Sequence, residues 1–106
     1  MVVRLVELIS KPTEVESVCH LFETQILPQA QSYPGFAAAL CLALHPEPRI
    51  VVLFTLWQSK PDSDRYCERG LPKLLSMLRP RVDGITMREF DVRAPIDAGE
   101  MAAKAS

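Results

Sequence analysis

Trp57 and Tyr66 are the side chains of this sequence best suited to hold a flat organic molecule. An indole offers a broad face for stacking, and a phenol adds a hydroxyl that can donate to a phenol or quinone oxygen. Trp57 closes the β-forming run "IVVLFTLW", and Tyr66 follows about two turns into the next helical stretch. Both residue types also serve as plain packing: Trp57 as a core or edge aromatic, Tyr66 as a partly exposed one. In "SYPGFAAALCLALH" a second pattern could make room for a ligand. Large residues (Phe36, Leu40, Leu42, Leu44) alternate with small ones (Ala37, Ala39, Cys41, Ala43), broken only by Ala38. The small set, Ala39, Cys41 and Ala43 in particular, either leaves a pocket beneath a helix or lets the helix pack closely.

Other chemistry is sparse. His45 is the one imidazole outside the first helix and could act as a base near neutral pH, but it sits in the turn "HPEPR", which suits a solvated residue. His20 reads as a surface residue. The three cysteines, Cys19, Cys41 and Cys67, are odd in number and lack paired spacing, so they read as reduced, partly buried thiols of a cytoplasmic protein. No metal-ligand spacing, nucleophile–base pair, phosphate loop or paired-carboxylate motif occurs, so no catalytic residue is singled out and no metal is expected. The net charge of −1 gives no basic field for nucleic acid or an anionic membrane. The opening "MVVRLVELISKP" is interrupted by Arg4 and Glu7, too short to span a bilayer and a poor signal peptide.

These residues must be positioned by a small set of elements. Residues 2–9 predict a strand with two covered faces. Thr13 with Glu16 predicts a capping box, followed by a helix carrying Val15, Val18, Cys19, Phe22 and Ile26, which Pro28 should kink or end. Residues 36–45 and 49–57 predict an antiparallel hairpin across "HPEPR". Ser59 or Ser63 can cap a helix carrying Tyr66 and Cys67, Gly70 breaks it, and Pro72 opens a second piece with Leu74, Leu75 and Leu78. "RPRVDG" predicts a loop and residues 85–92 the last strand. Arg4 and Glu7 fall on opposite faces of the first strand, as do Arg88 and Glu89 of the last; whichever is covered needs a partner or a pocket.

The order is the split βαβ, ferredoxin-like pattern, an α+β domain over 1–93 with a tail at 94–106. Helices cover one face of the four-stranded antiparallel sheet, and the other face stays apolar, which predicts a homodimer paired sheet to sheet. If "HPEPR" pairs His45 with Arg49, partners across the hairpin sum to 94. Ala37, Ala39, Cys41 and Ala43 then share a face with Val51, Leu53, Thr55 and Trp57, opposite Leu40, Leu42, Leu44, Ile50, Val52, Phe54 and Leu56.

"YPGF", "LFTLWQSK" and "ITMREFDVR" in this order resemble the antibiotic biosynthesis monooxygenase family over residues 1–93. The resemblance implies a dimeric α+β barrel. It also implies, in some members, oxidation of quinol-like or polyketide aromatics by molecular oxygen without metal or flavin, and in others no known reaction or a stress or binding role. Members that degrade haem carry a histidine on the second helical segment. This chain has none between Ser59 and Gly84, and Ser76 lies roughly at that place. On this reading the protein needs no cofactor, binds a small aromatic ligand, and has the lining residues Trp57, Tyr66, Ala39, Cys41 and Ala43.

Overall fold

A computed structural model describes residues 1–47 and 49–93. The elements are β1 (Val2–Ser10), α1 (Val15–Leu21), a π-helical turn (Phe22–Ile26), α2 (Leu27–Gln31), β2 (Phe36–Ala43) and β3 (Ile50–Trp57). They continue with α3 (Lys60–Arg69), α4 (Leu71–Leu78), a 3₁₀ turn (Arg79–Arg81) and β4 (Val82–Asp91). All strand pairs are antiparallel, in the order β2-β3-β1-β4. This is the ferredoxin-like α+β arrangement, with the helices on one face. The expected tail lies outside the described residues. Among the described residues no helix is long and apolar enough to cross a membrane.

The hairpin has the expected register from Ala38↔Leu56 to Ala43↔Val51, each pair summing to 94. A bulge between Phe36 and Ala38 then shifts it, so Phe36 faces Trp57. The inserted residue turns Phe36 away from the leucine set. Phe36 therefore joins the helix-covered face, where its ring meets Trp57 edge-on at 5.8 Å.

Val6, Leu8, Val51, Leu53 and Trp57 floor the core, and Val18, Phe22, Ile26, Ala30, Tyr66, Leu71, Leu74 and Leu78 roof it. The opposite face carries Leu40, Leu42, Leu44, Ile9 and Phe90, each 42–52% exposed. It is the uncovered apolar face that the strand sequences predict.

Two local expectations are corrected and a third is refined. Thr13 does not cap the first helix: Glu14 is the N-cap, with no side-chain cap bond. The turn is made by backbone instead, with Glu14 N–H donating to Lys11 O at 2.9 Å. At Pro28, where the regular helix should kink or end, it does not end, but its α geometry is interrupted just before the proline. The preceding turn widens to π geometry, with Leu27 N–H donating to Phe22 O, which accommodates a residue that has no N–H to give. Finally, β4 begins at Val82, so "RPRVDG" is only half loop; Gly84 pairs with Ile9 and Val82 with Ser10.

Two turn residues set the approach to the site. Gly35 has φ +83°, and a Cβ there would collide with the Asp62 carboxyl group. Ser59 caps α3, its Oγ accepting from Asp62 N–H at 3.4 Å, and Gly70 separates α3 from α4.

Candidate functional site

Between the helices and the sheet lies a narrow cavity of about 10 Å³, room for about one water molecule. Arg4 and Val6 of β1, Leu53 and Thr55 of β3, Ile26, Tyr66 and the apolar side of α4 (Leu71, Leu74, Leu78) line it. Alternation along β1 puts Arg4 on the covered face beside Val2 and Val6, and the antiparallel register places Glu89 opposite it. Arg4 and Glu89 are thus the covered charges, which sequence left open; Glu7 and Arg88 belong to the other face.

The guanidinium is bound on one side only. Arg4 Nη2 donates to Glu89 Oε2, to Ser63 Oγ at 3.2 Å and to Asp64 Oδ1 at 3.4 Å. Lys60 bridges the same carboxylates, reaching Glu89 at 3.1 Å and Asp64 at 3.2 Å, and these hydrogen bonds, Glu89 first, push its pKa up. Arg4 Nε is buried with no hydrogen-bond partner among the described residues. A buried N–H donor beside an apolar cavity is suited to an acceptor oxygen on a small hydrophobic molecule.

Aromatic rings close the neighbouring space. Trp57 is fully buried, and its indole N–H donates to Thr55 Oγ1 at 2.9 Å. Its ring stacks on Tyr66 at 4.8 Å, and Tyr33 meets Tyr66 edge-on at 5.6 Å. Burial, then Tyr33 and Cys67, push the Tyr66 phenol well above the ordinary tyrosine range. At neutral pH Tyr66 therefore carries its proton and can serve as a hydrogen-bond donor, not as a base.

Of the five lining residues expected from sequence, Tyr66 lines the cavity, and Trp57 stands directly behind it. Ala39 and Cys41 share the sheet face with Trp57 but pack against the core beneath the first helix. Ala43 is exposed at the hairpin end, as is His45, and His20 is exposed on α1. Cys41 Sγ donates to Cys19 Sγ at 4.0 Å, and burial, Cys19 and Glu23 push its pKa up to about 12. Sequence reasoning named Arg4 among four strand charges that would need a partner or a pocket if covered, without deciding which was covered; the available signal was its period-two placement among valines in β1.

A second, larger opening of about 420 Å³ lies between α4 and β4, lined by Leu75, Arg79, Val82, Asp83, Gly84, Ile85 and Met87. It holds none of the residues selected from sequence. Among the described residues no group of three or more His, Cys, Asp or Glu could hold a metal ion.

No family model matches the sequence, and no curated protein matches it. Solved structures do share its fold. A "putative antibiotic biosynthesis monooxygenase" from Deinococcus radiodurans superimposes with a TM-score of 0.76 at 13% identity, covering 92% of this chain and 97% of its own. Another antibiotic biosynthesis monooxygenase gives 0.73 at 16% identity, covering 89% and 100%. A conserved protein from Methanosarcina mazei Go1 gives 0.75 at 14%, covering 88% and 94%. The fold is therefore the one found in antibiotic biosynthesis monooxygenase proteins.

Proposed function

We propose that the protein is a homodimeric, cofactor-independent monooxygenase of aromatic, quinol- or polyketide-like small molecules. The observation that carries this reading is the buried, unpartnered Arg4 Nε–H at the cavity lined by Tyr66, in a fold shared with antibiotic biosynthesis monooxygenases. In such chemistry the substrate, once deprotonated, supplies the electrons. A ring methylene and one dioxygen give a ring carbonyl and one water, with no external reductant. The protein's part is to hold the anion and exclude water. Arg4 would meet the developing oxyanion and Tyr66 would donate to a ring oxygen. Trp57 would give the stacking face; Ala39, Cys41 and Ala43, expected to line the pocket, stand apart from the cavity and would reach a ligand only if the space extended beneath the first helix. The dimer would join the uncovered faces of two sheets, burying Leu40, Leu42, Leu44 and Phe90 in a cytoplasmic protein.

The closed cavity favours a second reading, a dimeric ligand-binding domain without catalysis. About 10 Å³ admits no aromatic ring while Tyr66 stays stacked on Trp57. Oxygen uptake with a panel of dihydroquinones and anthrone-like compounds separates the two. Protein-dependent uptake, with one labelled oxygen atom in the product and neither metal nor flavin in the sample, supports the oxygenase. Ligand-induced quenching of Trp57 fluorescence without oxygen uptake supports the binding domain.

A further inference from the structure

We propose that Cys19 and Cys41 form a modification site, a thiol pair that a peroxide oxidises to a disulfide tying α1 to β2. The inference does not depend on the oxygenase reading. The two residues are separated by 22 positions in sequence, yet their sulfurs lie 4.0 Å apart. A disulfide needs about 2.05 Å, so each sulfur must move roughly 1 Å, within reach of side-chain rotation. Both thiols are free and half-buried, which leaves a path for a small oxidant. Cys67 lies on α3, packs against the core and has no thiol neighbour among the described contacts, so it serves as an internal reference.

The hydrogen bond sets the order of events. Cys41 donates to Cys19 and holds its own proton, so the attacking sulfur is that of Cys19, acting as the thiolate, and the proton it gives up leaves with the hydroxide released from the peroxide. Burial, the neighbouring Cys19 and the Glu23 carboxylate all keep the proton on Cys41. Cys19 attacks hydrogen peroxide, the O–O bond breaks, Cys19 becomes a sulfenic acid and one water leaves. The Cys41 sulfur then attacks the Cys19 sulfur, the S–O bond breaks, and hydroxide departs with the thiol proton as a second water. In sum, two thiols and one hydrogen peroxide give one disulfide and two waters. The product fixes the first helix on the small-residue face of β2.

The test uses the intact chain treated with stoichiometric hydrogen peroxide and then blocked with N-ethylmaleimide. Free thiols should fall from three to one. Peptide mapping without reductant should find the Cys19 peptide linked to the Cys41 peptide, Cys67 blocked, and the link removed by dithiothreitol. Either Cys19→Ser or Cys41→Ser should abolish the link, although the unsubstituted protein decides the question alone. Three surviving thiols, separate sulfinic or sulfonic acids without a link, or a link through Cys67 would each overturn the proposal.

Discussion

The indole of Trp57 lies over the phenol ring of Tyr66, centroids 4.8 Å apart and planes 29° from parallel. Trp57 ends β3 and Tyr66 stands in α3, so this stack joins the sheet to the helical layer. Such a pair adds about 0.5–1.5 kcal/mol beyond its area burial. An aromatic ligand that replaced the Tyr66 ring would restore most of that contact.

Tyr66→Phe keeps the ring and should change stability by less than about 1 kcal/mol, whereas Tyr66→Ala should cost about 3–5 kcal/mol through the void it leaves. Urea unfolding of both variants measures the difference. If Phe and Ala are equally harmful, the hydroxyl and not the ring holds α3 in place.

Stability should fall as the solution becomes alkaline. Cys41 has an ordinary value of 9.0 and is pushed up to about 12, and Tyr66 is raised above its ordinary 10.0. Both protons are held more tightly in the folded chain than in the unfolded one, so their contribution is complete below about pH 9 and is lost as pH rises above it. Denaturant midpoints between pH 8 and pH 12 should decline, starting near the unfolded cysteine value. Cys41→Ser should flatten the first part of the decline and Tyr66→Phe the later part.

Arg4 tests the covered charge cluster. Arg4→Ala leaves Glu89 and Asp64 with only Lys60, and should cost on the order of 3 kcal/mol. Arg4→Met keeps the apolar stem without the charge and should cost distinctly less. Chemical denaturation ranks the two. Equal losses would mean that the ion pairs and hydrogen bonds of the guanidinium, rather than packing of the stem, account for the effect.

The two faces of β2 should respond differently to substitution. Leu42→Glu places a charge on the uncovered apolar face and should shift the proposed dimer to monomer in light scattering at micromolar concentration, with the fold retained. Ala39→Leu overfills the face beneath the helix and should cost about 1–3 kcal/mol while leaving the dimer intact. Ala43→Leu, at an exposed position, should leave stability nearly unchanged. A dimer lost on Ala39→Leu and kept on Leu42→Glu would reverse the face assignment.

The residues that proved legible in sequence are those with local causes. Period-two alternation and a short turn fix Ala38↔Leu56 through Ala43↔Val51, and Gly70 with Pro72 divides α3 from α4. The bulge at Ala37 was not legible, because in a run of three alanines no side chain distinguishes the inserted residue. The early start of β4 was hidden by Gly84, which looks like a turn residue but pairs with Ile9. The closure of the cavity depends on how deeply Tyr66 enters from α3, and Arg4's role depends on Glu89, a residue 85 positions away. Neither is encoded in the spacing of nearby residues.

That separation has a consequence during synthesis. Arg4 leaves the ribosome 85 residues ahead of Glu89. At about 5–20 residues per second, the arginine waits roughly 4–17 s for that carboxylate. Through this interval β1 has only its β3 edge available, and its other edge stays open until β4 emerges. Until then the guanidinium has only Ser63 and Asp64 as partners, and an incompletely paired charge resists burial in an apolar layer, so the growing chain is discouraged from sealing its core before the final strand arrives.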